Sequence, residues 1–327
     1  MENVGKRNPQ KSLENLPHMS AGENSFPFES TTIGQNDHNL VRNMTDPQQI
    51  RRIPTIFHET FSLSRPCIGQ VLAAIRNVPP EVPLTSKSRR QEYLRTTTNL
   101  GPNYIRSVPN YCKGAGLIDF EYRLARFGKA AVSGDSRLEQ AGTQWLMHYH
   151  FSAPQGPGPV FWHELASRFL FVANIFSAED LVEAIERCIC QTEGRALARR
   201  AVQSTATIFL GTYLKPEGLN KLHLLEPIDG SRYRVCEPSP APTWAIACAF
   251  VDFWGTHYAN RLGVGLDTLL ESGFPELFMI GKSRMVDVLE AMSEAGYVEM
   301  HRTAPPYQVL LLRRETEELF ERLYRGS

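Results

Sequence analysis

Apolar residues recur at helical spacing through most of the chain beyond residue 54. Ile68, Val71 and Ile75 follow Pro66 at intervals of a few residues, which predicts a helix that begins near the proline. A second, short helix is predicted over residues 89–95, after a segment rich in proline.

The third predicted helix begins at Pro102, where the missing backbone N–H of proline costs nothing. Its apolar positions extend to Ala115, and Gly116 is placed to end it. Residues 117–124 alternate partly between apolar and polar, which predicts a strand. Three helices followed by a strand are typical of a winged helix-turn-helix domain, predicted here over residues 54–134.

Helical patterns continue in the second half of the chain. Four amphipathic stretches and one that is apolar nearly all round predict a helical domain over residues 135–265. A helix, two strands and a closing helix follow, which predicts a winged-helix-like domain over residues 266–327. The fold class is therefore predicted to be mainly α with small β wings: an N-terminal winged helix-turn-helix, a central helical bundle and a C-terminal winged-helix-like domain.

Residues 1–50 differ from the rest of the chain. They are rich in Asn, Ser, Gly, Pro and Gln and have few large apolar residues, so burial cannot offset the entropy of ordering them. We expect a flexible arm. The first residues contain no apolar run typical of a signal peptide, and no stretch of the chain has the length and apolarity of a membrane span. The expected location is the cytoplasm, without membrane contact.

Composition and charge add a second observation. The formal net charge is zero, with 35 basic and 35 acidic residues, but the charges are segregated. Residues 87–137 have a net charge of +6 and residues 138–281 a net charge of −5. Such asymmetry is a hint of nucleic-acid contact, although a basic segment is often only a solvated surface. Because the basic segment coincides with the third predicted helix, we expect contact with double-stranded DNA.

The residues predicted to contact DNA fall into two groups. Side chains on the polar face of the third helix would reach base edges or phosphates, since Arg pairs with guanine and Asn with adenine. The cations around that helix would bind flanking phosphates. The first group is Asn103, Arg106, Ser107, Asn110 and Lys113, and the second is Lys87, Arg89, Arg90, Arg123, Arg126 and Lys129. In the C-terminal winged-helix-like domain, acidic residues on the corresponding helix favour protein contacts instead.

Catalytic and metal-binding patterns are weak. The six cysteines have no spacing typical of a zinc site, and His148, His150 and His163 lie among aromatic residues that favour packing. No nucleophile elbow, phosphate loop or dinucleotide fingerprint occurs. We therefore expect no metal, no cofactor and no enzymatic activity. The pair His58 and Glu59 is the exception, and it leaves a nuclease or another enzyme as a lesser alternative.

Four segments resemble an uncharacterised bacterial family, domain-of-unknown-function family 4007. They are FHETF at 57–61, LGPNYIRSVPNYCKGAGLI at 100–118, DSRLEQAGTQWLMHYHF at 135–151 and FWHELASRF at 161–169. The resemblance implies a winged-helix-like protein found near genes for DNA phosphorothioation and phage defence. It places His58 and Glu59 in a motif of unknown role. Pro102, Pro109 and Asn110 depart from the pattern of the family.

Together these observations favour a non-enzymatic DNA-binding component of a bacterial DNA-modification or phage-defence system. Its expected partners are double-stranded DNA and proteins of such a complex. The main alternative is a protein–protein scaffold or adaptor in the same kind of system, without DNA contact.

Overall fold

Helices dominate the structure, a computed structural model in which residues 51–79, 81–82, 84, 86–303 and 305–325 are described. The fold class predicted from the sequence, mainly α, is confirmed, and the strands are confined to small antiparallel sheets. The predicted arm over residues 1–50 lies outside the described residues.

The elements follow one another in a simple order. The helices are α1 (Arg65–Arg76), α2 (Lys87–Thr97), α3 (Pro102–Gly114), α4 (Arg126–Gly134), α5 (Ala141–Ser152), α6 (Val160–Phe169), α7 (Ala178–Glu193), α8 (Arg199–Leu214), α9 (Thr243–His257), α10 (Leu266–Leu270), α11 (Lys282–Glu294) and α12 (Glu317–Arg325). The strands are β1 (Ile175–Ser177), β2 (Leu225–Pro227), β3 (Arg232–Val235), β4 (Gly263–Gly265), β5 (Val298–His301) and β6 (Gln308–Leu311). Short 3-10 helices cover Asn220–Leu222 and Pro275–Phe278.

The three helices predicted first along the chain are all present. α1 has Pro66 in its first turn and buries Ile68 and Ile75, as the apolar spacing predicts. The hydroxyl of Ser86 accepts a hydrogen bond from the backbone N–H of Arg89 and so caps the start of α2. α3 continues past Pro109 as far as Gly114. The buried sides of α1 and α3 pack together, which fixes the exposed side of α3.

The strand predicted over residues 117–124 is wrong. These residues form a loop closed by a single bridge between Ile118 and Leu124. The carboxylate of Asp119 accepts hydrogen bonds from the backbone N–H groups of Glu121 (2.9 Å) and Arg123 (2.8 Å). An aspartate that binds its own neighbouring backbone competes with a strand ladder, so it favours a turn here. We call residues 117–124 the α3–α4 loop.

α4 packs closely on the start of this loop. A Cβ atom added to Gly128 would overlap the carbonyl oxygen of Leu117, so the helix and the loop touch backbone to backbone. Only glycine allows this approach.

The central part consists of α5 to α9 and one small sheet. β3 lies between β1 and β2 and pairs with both in antiparallel register. The sequence pattern does not predict this sheet. α9 is buried along nearly all of its length, as its apolar sequence predicts.

A second three-stranded sheet lies in the C-terminal part. β6 lies between β4 and β5, and all pairings are antiparallel. The predicted helix, two strands and closing helix are present as α11, β5, β6 and α12. α12 packs on α9 and also on α4, so the C-terminal part touches the N-terminal part directly.

The core is continuous. One cluster of buried apolar side chains extends from Ile53 to Leu323 and includes three tryptophans that are fully buried: Trp145, Trp162 and Trp254. The domain boundaries near residues 135 and 265 stay predictions. Among the described residues, no helix is both long and apolar enough to span a membrane.

Candidate nucleic-acid interface

The exposed side of α3 begins with an ion pair. Arg106 lies 3.5 Å from the carboxylate of Glu59, and it also donates a hydrogen bond to the side chain of Asn103. Both charged side chains are a little under half exposed. Arg106 therefore has part of its charge balanced within the protein, which weakens it as a phosphate ligand.

A tight turn at residues 58–61 presents Glu59 to Arg106. The backbone N–H of Phe61 donates to the carbonyl of His58 at 2.8 Å, and the two central residues have positive φ angles, 46° at Glu59 and 70° at Thr60. Two consecutive left-handed residues without glycine store strain, and such strain is more frequent at functional sites than elsewhere.

His58 anchors this turn from the inside. Its Nδ1 accepts a hydrogen bond from the backbone N–H of Thr60 at 3.2 Å, and its Nε2 lies 3.1 Å from the hydroxyl of Thr205. The Thr205 hydroxyl donates to the carbonyl of Ala201, so His58 must be the donor to Thr205. Burial lowers the pKa of His58, with a smaller opposing effect from Glu59. Both ring nitrogens of this neutral imidazole are thus engaged within the protein.

Two other residues predicted to contact DNA on α3 face inward. Ser107 is fully buried, because it lies among apolar residues of α3 that face the core. Its predicted contact with DNA is therefore wrong for α3 packed as it is in this structure. The side-chain amide of Asn110 lies 3.4 Å from the carbonyl of Phe57 and is only partly exposed. The polar face of α3 is therefore narrower than the sequence pattern predicts.

A basic cleft lies beyond the other end of α3. We use this name for the cavity of about 830 Å³ between the end of α1, the start of α2 and the α3–α4 loop. Its lining combines aliphatic residues with four arginines, one acidic residue and two aromatic rings: Arg51, Arg76, Arg90, Arg123, Glu121, Phe120 and Tyr122. Positive charge from separate parts of the chain converges here.

Cations cover the aromatic rings of the basic cleft. The guanidinium of Arg51 lies 4.6 Å from the ring centre of Phe120, and that of Arg90 lies 4.4 Å from the ring centre of Tyr122. The ammonium group of Lys113 also lies over Tyr122, at 4.3 Å. Cation–π contacts of this kind hold the cationic groups in place without neutralising them.

The pKa of Lys113 reflects its burial and the positive charges around it. Burial first, and then the charges of Arg90 and Arg51, lower the pKa of Lys113 to about 8. An anion that enters the basic cleft would lie close to Arg51 and Arg90 and would favour the charged form of Lys113. The ion pair between Arg51 and Glu121, at 2.5 Å, balances one of the positive charges.

The remaining predicted DNA ligands are divided between two places. Lys87 and Arg89 are exposed at the start of α2, and α2 also supplies Arg90 to the basic cleft. Arg126 and Lys129, by contrast, line a groove between α4 and α12. The structure thus does not bring all the predicted ligands onto one surface.

The histidines considered for a metal site serve packing. His148 Nδ1 lies 2.8 Å from the hydroxyl of Tyr213, and His163 Nδ1 lies 2.7 Å from the carbonyl of Ser152. In the described part of the chain, no group of three or more His, Cys, Asp or Glu side chains could hold a metal ion.

Several residues of the basic cleft were missed from the sequence. Arg51 and Arg76 lie outside the basic segment, and no local pattern connects them with Arg90. Phe120 and Tyr122 alternate with charged residues in the α3–α4 loop, and this interleaving of rings and charges is the one signal that could have pointed to them.

The family of the chain follows from a comparison of sequences. The model of a family described as "Protein of unknown function (DUF4007)" matches residues 57–324. The chain belongs to the DUF4007 family. The match begins at Phe57, so it takes in the turn with His58 and Glu59 as well as the basic cleft apart from Arg51. A comparison of the DUF4007 chain with curated proteins finds no match.

Solved structures show a similar fold. A structure titled "Magnesium ion-bound SspB crystal structure" has a TM-score of 0.65 with this DUF4007 chain at 14% sequence identity, covering 85% of this chain and 89% of the other. A second, titled "SspB crystal structure", has a TM-score of 0.64 at 16% identity with the same coverage. At these identities the similarity concerns the fold.

Proposed function

We propose that this chain is a non-enzymatic component of a bacterial DNA-modification or phage-defence system and that it binds double-stranded DNA through the basic cleft. The observation that carries the proposal is the convergence of Arg51, Arg76, Arg90, Arg123 and Lys113 around one cavity. The family resemblance supplies the expected biological setting.

The chemistry of the basic cleft favours phosphates over bases. Because guanidinium and ammonium groups already lie over Phe120 and Tyr122, these rings are not free to stack on nucleobases. Arginine and lysine side chains bind phosphate oxygens irrespective of sequence. The proposed binding is therefore to the DNA backbone, with little dependence on base sequence.

The position of α2 extends the proposed interface. Its first turn carries Lys87 and Arg89, both exposed, while Arg90 in the same turn lines the basic cleft. A duplex that places one phosphate in the cleft would bring neighbouring phosphates towards these two side chains. Arg106 would contribute less, because Glu59 already pairs with it.

Charge reversal of two cleft arginines tests the proposal. Arg76→Glu combined with Arg123→Glu should weaken binding of a 20-base-pair duplex by about tenfold or more and lower the slope of log affinity against log salt by about 2, because two phosphate contacts are lost. Fluorescence anisotropy between low and physiological salt measures both quantities.

The matched control changes the same charge elsewhere. Arg187→Glu combined with Arg200→Glu alters two exposed arginines on α7 and α8 and should leave affinity nearly unchanged. If the folded wild-type protein fails to bind duplexes at low salt, or if both double variants lose the same affinity, the basic cleft is not the DNA site.

A protein-binding scaffold is the second candidate, and one surface favours it. Phe171, Val172 and Ile175 are 54%, 43% and 50% exposed, and the first two also line a largely apolar cavity of about 590 Å³. Clustered exposed apolar side chains mark interaction sites. In co-expression with the products of neighbouring genes, Phe171→Ser with Val172→Ser should abolish co-purification if the chain is a scaffold, and the folded wild-type protein should then bind no duplex at low salt.

The arrangement around His58 supports a non-enzymatic role. A general base needs a free lone pair within reach of a substrate, and the Nδ1 lone pair of His58 is already used by the N–H of Thr60. One structural neighbour is titled as magnesium-bound, and in the described part of this chain no group of three or more His, Cys, Asp or Glu side chains could hold a metal ion. We therefore assign no metal-dependent step to this chain.

A further inference from the structure

The contact between Glu59 and Arg106 has the geometry with which an arginine binds a phosphate. Oε1 of Glu59 lies 3.5 Å from Nε of Arg106, and Oε2 lies 3.5 Å from Nη2. Two carboxylate oxygens thus face two nitrogens of the guanidinium, as two oxygens of a phosphate do in a paired contact. The carboxylate of Glu59 therefore lies where a phosphate of DNA would lie.

The turn that carries Glu59 is fastened to α3 on both sides. Before the turn, the ring of Phe57 packs edge-on against Tyr111, with 4.9 Å between the ring centres. After the turn, the ring of Phe61 lies 4.3 Å from that of Tyr104, and the carbonyl of Phe61 accepts a hydrogen bond from the hydroxyl of Tyr111 at 2.6 Å. Packing thus fixes the backbone that presents the carboxylate, so only its own side chain is ordered by the ion pair.

The backbone of the turn adopts a conformation that costs free energy. Glu59 and Thr60 both have positive φ angles, 46° and 70°, although neither is glycine. His58 compensates from the inside, since its Nδ1 accepts the backbone N–H of Thr60. Strain of this kind persists only where the surrounding structure imposes it, and it is concentrated at ligand-binding sites and switches.

Arg106 lies on the side of α3 that leads to the basic cleft. Lys113, whose ammonium group lies over the ring of Tyr122 in the cleft wall, follows Arg106 by seven residues. Seven residues are about two turns of a helix, so the two side chains leave the same face of α3 about 10 Å apart. Each strand of a duplex carries a phosphate about every 3.4 Å along its axis. A duplex that extends from the cleft along α3 would therefore bring a further phosphate to Arg106.

Glu59 opposes the approach of such a phosphate. Its negative charge repels the phosphate and also balances the arginine that would attract it. The distance of 3.5 Å is nevertheless longer than the value of about 2.8 Å for a strong charge-assisted hydrogen bond, and both side chains are a little under half exposed. A phosphate can therefore displace the carboxylate, and the contact lowers affinity without preventing binding.

We propose that Glu59 is an intramolecular competitor of DNA: it occupies the phosphate position at Arg106 and so restrains binding of the duplex. This inference rests on the proposed function, because the competing ligand is the backbone of a duplex bound at the basic cleft. It gives the HETF segment a regulatory role, in which Glu59 sets the affinity and His58 holds the turn. A partner that draws Glu59 away from Arg106 would strengthen DNA binding.

Removal of the charge of Glu59 tests the proposal. Glu59→Gln keeps the size of the side chain and should strengthen binding of a duplex by about three- to tenfold. The slope of log affinity against log salt should become steeper by about 1, because Arg106 gains one phosphate contact. Fluorescence anisotropy over a range of salt concentrations measures both quantities, after circular dichroism has shown that each variant is folded.

A double-mutant cycle shows whether the effect acts through Arg106. In an Arg106→Ala background, Glu59→Gln should improve affinity by less than about twofold, because the arginine that it would release is gone. If the full gain persists in that background, general repulsion between Glu59 and DNA explains it and the proposal is overturned.

Glu186→Gln is the matched control. Glu186 of α7 also pairs with an arginine, Arg199, at 3.3 Å, so the substitution breaks an ion pair and changes the net charge by the same amount. It should leave DNA affinity unchanged. If the wild type binds the duplex and Glu59→Gln binds no more tightly, the competition is overturned while the DNA site at the basic cleft stands. If neither protein binds at low salt, the proposed DNA binding fails, and this inference fails with it.

Discussion

At the scale of single residues, burial determines the protonation of His148. The indole N–H of Trp162 donates to the hydroxyl of Tyr213 at 3.0 Å, and that hydroxyl lies 2.8 Å from Nδ1 of His148. Burial lowers the pKa of His148 to about 4. The buried imidazole is therefore neutral at physiological pH.

This pKa predicts how stability changes with pH. The unfolded chain takes up a proton at His148 near its ordinary pKa of about 6.5, whereas the folded chain does so only near 4, so stability is greatest above pH 6.5 and falls as the pH drops towards 4. Between pH 7 and pH 5 the contribution of His148 to the loss is about 2 kcal/mol. Urea unfolding followed by tryptophan fluorescence at several pH values measures the slope.

Replacing His148 distinguishes its contribution to the pH dependence of stability from those of the other histidines. His148→Gln should lower stability at pH 7 and make its dependence on pH shallower, because the titrating group is gone. His58 and His150, whose pKa values are also lowered by burial, should retain the rest of the slope. The control Leu262→Ala, at a strongly exposed position without a titrating group, should retain the full slope. An unchanged slope in His148→Gln would show that this group does not titrate as described.

At the scale of elements, the turn at residues 58–61 combines strain with exposure. Thr60 has a φ of 70° although its side chain is branched at Cβ, and a left-handed conformation costs such a residue about 1–2 kcal/mol. The turn persists because His58 and the ion pair of Glu59 hold it on both sides.

Replacing Thr60 by glycine should therefore stabilise the protein. Relief of the left-handed strain exceeds the entropy that glycine adds to the unfolded chain, and Thr60→Gly should raise the free energy of unfolding by about 0.5–1 kcal/mol. Thr207→Gly, at an exposed position inside α8, is the control and should lower it by roughly 0.3 kcal/mol, because threonine is itself a weak helix former. Chemical denaturation measures both, and destabilisation by Thr60→Gly would contradict the account of strain.

Some elements could be predicted from the sequence and others could not, for physical reasons. α1, α3 and α9 have apolar periodicity long enough to identify them. β1, β2 and β3 have three or four residues each, too few for a period of two to emerge, and they form a sheet only because their partners meet in space. The α3–α4 loop alternates like a strand, but local hydrogen bonds to Asp119 favour a turn instead.

The candidate site, too, could be predicted from the sequence only in part. The basic segment and Lys113 were visible as an excess of local charge, whereas the basic cleft also needs Arg51 and Arg76, which reach it only through tertiary packing. The sequence pattern places Ser107 on the exposed face of α3, because a polar side chain on a helix is expected to face solvent. Its position in the core depends on how α3 packs, which no local pattern encodes.

At the scale of the whole molecule, α12 contacts helices from the earlier parts of the chain, including α4, α5 and α9. Tyr324 shares a hydrogen bond of 3.0 Å with Thr143 of α5, and Leu323 packs over Gly142. Since the apolar core extends through these contacts without interruption, we expect the three predicted domains to unfold together.

Leu323→Ala tests this expectation. Loss of the buried side chain should cost about 2–4 kcal/mol and lower the melting temperature of the whole molecule in a single transition. Circular dichroism at 222 nm and fluorescence of the buried tryptophans should give the same midpoint. Leu262→Ala, at a strongly exposed leucine, is the control and should change little. Two separate midpoints would show that the C-terminal part unfolds on its own.

The backbone contact between α4 and the α3–α4 loop has a consequence for the comparison of related chains. Because any side chain at the position of Gly128 would overlap the carbonyl of Leu117, substitution there requires the loop to follow another path. That loop carries Phe120, Tyr122 and Arg123. In an alignment of DUF4007 proteins, glycine at this single column therefore indicates which members can build the same wall of the basic cleft, even where the cleft residues themselves have diverged.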